Sequence, residues 1–222
     1  MTPTDADAAG PLVGQPMTAA IAPSQITGVV LAGGRGARMG GVDKGLQLFA
    51  GTPLAQHALR RLQPQVGTTL INANRHLEQY RAFGVPVHPD TLPDFAGPLA
   101  GFVSALEQCD TPYLVTIPCD SPLFPANLVT RLADALALTQ ADIAMASIQE
   151  QDRRSGQWGW RNQPVFCLLR TMLLPDLRDF IADGGRKIDR WTERHAVVTV
   201  PFDDAHAFTN ANTLEQLDAL QP

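Results

Sequence analysis

A short stretch early in the chain concentrates groups that handle phosphate: Leu31-Ala32-Gly33-Gly34-Arg35-Gly36-Ala37-Arg38-Met39-Gly40-Gly41-Val42-Asp43-Lys44-Gly45. Glycine lets a backbone approach a ligand closely and adopt positive φ. Successive amide N–H groups then converge on an anion, and Arg35, Arg38 and Lys44 add three cations within ten residues. Lys44 stands out for its rarity. The chain has 17 basic residues but only two lysines, Lys44 and Lys187, each in a glycine-rich turn. A compact ammonium is a different tool from a guanidinium fork. The chemistry such a loop serves is polyphosphate binding. A surface loop with solvated charges is the plainer alternative, but it leaves unexplained why the glycines follow an apolar strand and end on a rare lysine.

Two familiar glycine motifs fail by position. The dinucleotide fingerprint needs a glycine three residues after Gly36, where Met39 stands. The P-loop spacing from Gly36 reaches Gly41 correctly, but Val42 follows where lysine is required. Beyond the loop, Asn72, Asp90 and Asp120 each follow a predicted strand, and none of the five histidines sits in a convincing catalytic setting. Cys119 adjoins Asp120 with nothing nearby to activate a thiolate, so it reads as a buried small residue.

The elements that must position these groups follow an alternating pattern. Residues 26–32 form a short, β-branched apolar run of the kind buried on both faces of a parallel sheet. A loop extends to about Phe49, and Pro53 opens a helix of about a dozen residues with Leu54, Ala58, Leu59 and Leu62 on one stripe. Strands are predicted at 68–72, 85–87, 113–117 and 142–146, with helices at 76–83, from 97, and 125–138. Residues 149–162 are polar and read as a mobile loop, 164–169 as a further, antiparallel strand. Helices near 172–182 and 186–194, a strand at 196–200 and a closing helix from Thr213 complete the chain. Alternating strands and helices mean crossover units and a mainly parallel α/β sheet. In such sheets ligands lie beyond the carboxyl ends of the strands, which gathers the Gly33 loop, Asn72, Asp90 and Asp120 at one edge.

Composition bounds the rest. A chain of 222 residues with 45% hydrophobic and 18% charged residues is ordinary globular material, long enough to hold a core without disulfides or metal. The net charge of −5 argues against a nucleic-acid-coating surface. No apolar run reaches the about 18 residues of a membrane span. Three widely spaced cysteines match neither a disulfide framework nor a zinc site, so a cytoplasmic location is expected. Residues 1–24, rich in Ala, Pro, Thr and Gly, read as a disordered extension, with 25–222 as a single domain.

The glycine-rich string resembles the signature of the molybdenum cofactor guanylyltransferases, the MobA-like branch of the nucleotidyltransferases. Later segments resemble that family in the same order: Asn72-Ala73-Asn74-Arg75, Asp90, Gly97-Pro98-Leu99-Ala100-Gly101, Cys119-Asp120-Ser121-Pro122 and Asn210-Ala211-Asn212-Thr213. The resemblance implies a Rossmann-like, three-layer α/β/α nucleotidyltransferase fold. It implies transfer of GMP from GTP to the phosphate of molybdopterin with release of pyrophosphate, and Mg²⁺ as cofactor.

By matching position, Asp120 is the metal ligand, and Leu31, Ala32, Gly33, Lys44, Asn72 and Asp90 contact GTP. Gly34 and Gly101 join that set, Gly101 within a helix start that offers amides to an anion or a guanine edge. Arg38 and Lys44, with Asp120, are the candidate catalytic groups. On the pterin side Arg186, Lys187, Asn210 and Asn212 are candidates, and Trp158, Trp160 and Arg161 offer a stacking surface; helix capping and surface packing are the alternatives for each. The family often has a basic residue or histidine before the proline at 164, where this chain has Gln163. The resemblance also implies transient contact with molybdenum-insertion proteins and with molybdoenzyme apoproteins or their chaperones. The alternatives are a cytidylyltransferase acting on the same pterin, a sugar- or polyol-phosphate nucleotidyltransferase, and a non-catalytic nucleotide- or pterin-binding protein on the same fold.

Overall fold

The structure is a computed structural model and describes residues 19–32, 43–92, 98–152 and 155–211. In chain order its elements are β1 (Ile26–Leu31), β2 (Leu48–Phe49), β3 (Thr52–Pro53), α1 (Leu54–Leu62), β4 (Thr68–Asn72), α2 (Leu77–Arg81), β5 (Val87–His88) and α3 (Pro98–Glu107). There follow β6 (Tyr113–Pro118), α4 (Leu128–Thr139), β7 (Ile143–Gln151), β8 (Trp158–Arg170), α5 (Leu174–Ala182), α6 (Ile188–Thr192) and β9 (Val197–Phe202). Ile21 packs against the core and Pro23–Gln25 forms a 3₁₀ turn ahead of β1. Residues 1–18, most of the expected extension, and the expected closing helix from Thr213 lie outside the described residues. No helix among the described residues is long and apolar enough to cross a membrane.

Seven strands form one sheet in the order β5-β4-β1-β6-β8-β7-β9. Neighbours are parallel except around β8, which runs antiparallel to β6 and to β7, as expected for the strand at Pro164. Adjacent residues of one strand face opposite sides. Val30, Ile71 and Leu168 therefore enter one apolar layer, under α1, α2 and α4, while Val29, Leu70 and Leu169 enter the other, under α3, α5 and α6. Both faces being covered makes the architecture three-layered and explains why β1 is apolar without alternation. In α1, Leu54, Ala55, Ala58, Leu59 and Leu62 are buried on one stripe, which seats that helix on the sheet.

Two segments depart from the sequence reading. Within the expected loop 149–162, residues 149–151 and 158–162 are the outer strands of a hairpin, with Ala146↔Gln163 through Gln151↔Trp158 paired across β7 and β8. Glu150, Gln151 and Trp158 to Asn162 are exposed, so no buried face of this ribbon announces it in the sequence. At its base the register jumps between Met145 and Ala146, opposite Pro164, which lacks the N–H a regular ladder needs. Thr116 Oγ1 captures the Val165 carbonyl freed there, at 2.7 Å. The second departure is the small antiparallel pair β2–β3, within and just beyond the expected loop. Its two-residue turn, Ala50-Gly51, has positive φ at both positions (47° and 75°), the handedness that matches twisted hairpin strands.

Registration does the positioning. Leu31 of β1 pairs with Asn72 of β4 on one side and with Pro118 of β6 on the other, and Asn72 pairs with His88 of β5. Four strands thus end level. At about 4.8 Å per strand this edge spans roughly 14 Å from β5 to β6.

Candidate active site

The chain leaves this edge at four points and places polar groups there. Asp120 lies two residues beyond β6, and its backbone carbonyl accepts from Ala211 N at 2.7 Å. Lys44 Nζ lies 3.5 Å from Asp120 Oδ2, with side chains 32% and 16% exposed. Burial pushes the Asp120 carboxyl above its usual range, and the Lys44 ammonium pulls it part of the way back. Asp120 is therefore a desolvated carboxylate whose neighbouring cation only partly offsets the burial. Lys44 begins a 3₁₀ turn, Lys44–Leu46, capped by Asp43, whose Oδ1 accepts from Gly45 N at 3.1 Å.

At the other end of the edge, Asn72, Asn74 and Asp90 form one network. Asn72 Nδ2 donates to His88 O at 3.2 Å and to Asp90 Oδ1 at 3.0 Å. Asn74 Nδ2 donates to Asp90 Oδ2, and Asn74 Oδ1 accepts from Asp90 N, both at 2.7 Å. Asn72 Oδ1 points toward Gly101 on α3, where a Cβ would stand only 2.6 Å away. Between the two ends, Ala32 N donates to Asn72 O at 2.8 Å and Leu31 O accepts from Cys119 N at 3.1 Å, so the start of the glycine loop is held by both neighbouring strands.

The structure thus brings Leu31, Ala32, Lys44, Asn72, Asp90, Gly101 and Asp120 to one edge. Asn210 joins them, because its Oδ1 accepts from Ser121 Oγ at 2.6 Å, one residue from Asp120. Arg186 and Lys187 lie exposed in the connection between α5 and α6, where the Arg186 guanidinium donates to Ile181 O and Gly185 O as a helix-end cap. Gly33, Gly34, Arg35, Arg38 and Asn212 lie outside the described residues. Trp158 and Trp160 are exposed on the hairpin, and Arg161 pairs with Asp152 at 2.7 Å. Cys119 and Cys167 are buried with their thiols pushed up by that burial, Cys167 to about 12, so neither offers a thiolate. Sequence reasoning missed Asp43, Asn74, Ser121 and Tyr80 as site builders. Asn74 carried a signal, the same-face spacing with Asn72, whereas Tyr80 carried none.

Which chemistry fits is bounded by the donor set. Among the described residues no three acidic, histidine or cysteine side chains cluster as a metal cage. Mg²⁺ asks for no cage, binding through one or two carboxylates plus phosphate oxygens and water. The under-compensated Asp120 fits that need.

A covered parallel sheet whose level strand ends present a cation–carboxylate pair at one side and an amide network at the other defines a nucleotide-handling α/β protein. Comparison with known proteins narrows this class. The sequence family described as "MobA-like NTP transferase domain" matches residues 28–199, and the chain belongs to that family. A molybdenum cofactor guanylyltransferase of Acidovorax sp. (strain JS42) is 63% identical over 200 residues, covering 88% of this chain and 95% of its own. One of Bordetella petrii is 59% identical over 197 residues, covering 89% and 97%. Among solved structures, molybdopterin-guanine dinucleotide biosynthesis protein A of Archaeoglobus fulgidus superposes with a TM-score of 0.68 at 22% identity, covering 87% of this chain and 95% of that one. A 4-diphosphocytidyl-2C-methyl-D-erythritol synthase of Anaerococcus prevotii gives 0.69 at 10% identity, covering 89% and 94%. At those identities the structural likenesses speak for the fold.

Proposed function

We propose that this protein transfers GMP from GTP to the phosphate of molybdopterin, releasing pyrophosphate and forming the guanine dinucleotide cofactor, with Mg²⁺. The observation that carries the reading is the Lys44–Asp120 pair, 3.5 Å apart at the carboxyl end of the central strands. The names of the relatives at 54–63% identity support the choice of nucleotide and acceptor.

The physical demands of the reaction suit these residues. A phosphate monoester has its second pKa near ~6, so the acceptor is already largely dianionic at neutral pH and needs no general base. Its oxygen attacks the α-phosphorus of GTP, the bond from that phosphorus to the β-bridging oxygen breaks, and pyrophosphate departs. What the protein must supply is charge neutralisation and alignment. Lys44, with Arg38 of the glycine loop, serves the triphosphate, and the amides of that loop with Gly33 and Gly34 cradle it. Asn72, Asp90 and Gly101 serve the base and ribose end. Asp120 would hold Mg²⁺, which when bound offsets phosphate charge. On the pterin side Asn210, Asn212, Arg186 and Lys187 are the candidates, and the contact of Asn210 with Ser121, next to Asp120, supports Asn210. We take residues 25–222 as the transferring unit, a reading supported by the family match over 28–199.

The test is transfer by the purified protein given molybdopterin and Mg²⁺ with GTP, CTP or ATP separately, read as nucleoside monophosphate released on hydrolysis of the product. GMP alone is expected. CMP would keep the acceptor and overturn the base, and no transfer with any nucleotide would overturn the reading.

A further inference from the structure

Tyr80 lies on α2 and is fully buried. A buried phenol needs a partner for its hydroxyl. Here the partner is a buried carboxylate: Tyr80 Oη donates to Asp43 Oδ1 at 2.6 Å, the same oxygen that accepts from Gly45 N. Gly45 makes room for it, since a Cβ at that position would stand 2.4 Å from Tyr80 Oη. The string Asp43-Lys44-Gly45 thus divides into an acceptor, a cation and a gap, and both flanking residues serve to seat the phenol. The turn is tied on its other side as well. Leu46 N and Gln47 Nε2 donate to Asp43 O at 3.3 and 3.4 Å, and Leu54 N of α1 donates to Gln47 O at 2.9 Å.

We propose that Tyr80, acting through Asp43, is a positioning residue that holds the Lys44–Leu46 turn so that the Lys44 ammonium faces Asp120 and the transferring phosphate. The inference rests on the reading of Lys44 as a phosphate-binding group. A charge-assisted O–H···O⁻ bond is short and strong enough to fix a turn that would otherwise sample alternatives. α2 follows the strand that ends in Asn72, so this bond also links the base-side end of the edge to its phosphate side. Burial above all keeps the phenol protonated far above its ordinary range, so the donor persists throughout the working pH range.

The test is Tyr80→Phe, which keeps the ring and removes the donor. Transfer kcat is expected to fall about tenfold with the GTP KM within about twofold, because a cation out of place is felt mainly in the transition state. In a Lys44→Ala background the same change is expected to cost nothing further. An equal fold-loss in both backgrounds, or no loss in the first, would overturn the proposal. Amide hydrogen exchange without substrate supplies a readout independent of the transfer chemistry. Exchange at residues 44–46 should quicken in Tyr80→Phe while β1 and β6 stay protected; unchanged exchange at 44–46 would overturn the proposal even if the protein proved to transfer no GMP. Should Tyr80→Phe fail to fold, Asp43→Asn, which keeps an acceptor but removes its charge, is expected to give the same two signatures and overturns the proposal if it gives neither.

Discussion

Gly101→Ala tests whether the base-side end of the site is built as tightly as its geometry says. The new Cβ would stand 2.6 Å from Asn72 Oδ1 and 3.1 Å from Leu31 Cδ2. The leucine methyl is the far end of a flexible side chain and can give. The Asn72 amide is less free: it is 2% exposed, and its Nδ2 is committed to His88 O and Asp90 Oδ1. Reaching an ordinary contact of 3.4 Å means a retreat of about 0.8 Å by one of the two atoms. Turning the amide to provide it strains its torsion by about 1 kcal/mol and weakens one hydrogen bond by a similar amount. The sum, about 2 kcal/mol, lies within the usual overpacking range and corresponds to roughly thirtyfold in kcat/KM for GTP if Asn72 must hold its position to bind nucleotide. Steady-state transfer with GTP varied at saturating molybdopterin gives the number, and the thermal unfolding midpoint separates a local shift from a damaged fold. The loss should sit in the GTP KM. A variant within threefold of the parent would refute the reasoning, showing that Asn72 yields freely or has no part in binding.

Lys44→Ala should lower transfer kcat by about a hundredfold, and Lys44→Arg should recover less than a tenth of that loss, because a planar fork does not replace a point charge; single-turnover rates with saturating GTP decide it. Asp120→Asn should abolish Mg²⁺-dependent transfer yet stabilise the substrate-free protein. The folded carboxyl is raised above its ordinary 3.8, so its charged form weighs against folding above the folded-state pKa. That penalty fades as pH falls through the folded-state value and is gone only below the unfolded-state 3.8, so the stability gap over the parent should be larger at neutral pH than at about pH 3. Melting curves at the two pH values check the sign. Chelation with EDTA should stop transfer and Mg²⁺ restore it, followed by product release. Trp160→Ala, which trims the exposed hairpin, should raise the molybdopterin KM about fivefold, as loss of one stacking contact does, and leave the GTP KM unchanged; initial rates with each substrate varied test it.

The parts of this molecule that read directly from the sequence are those where one local constraint dominates. β1 and β4 must be apolar on both faces, and runs such as Val29-Val30-Leu31 leave no competing period. Asn72, Asp90 and Asp120 could be gathered because strand ends in a parallel sheet share an edge, and the observed register does align Asn72, Leu31 and Pro118. The outer hairpin was illegible for the opposite reason: its pairing rests on backbone groups of exposed residues, and its polar side chains outweigh Trp158 and Trp160 as a strand signal. Tyr80 was illegible because its partner is 37 positions earlier and only the fold brings the two together. Arg186 shows how one local pattern admits two readings. A basic residue after two glycines resembles an anion site, but its guanidinium donates to Ile181 O and Gly185 O, which any exposed helix end can ask of an arginine.

One feature of the edge looks paradoxical for a protein of net charge −5 that has to gather two phosphate-bearing molecules: a half-buried carboxylate stands on its phosphate side. Lys44 alone does not resolve this, since its ammonium is shared with Asp120 and does not fully offset that residue's burial. A dianionic acceptor meeting a triphosphate adds several further negative charges. Placing a second fixed lysine there would neutralise them, but it would also hold pyrophosphate in place after transfer. On the proposed reading a carboxylate instead would make the positive charge conditional, since Asp120 would hold a divalent cation only in company with phosphate oxygens. On that reading the burial of Asp120, 16% exposed beside the Lys44 ammonium, would favour a divalent ion supplied with the nucleotide over water and monovalent salt.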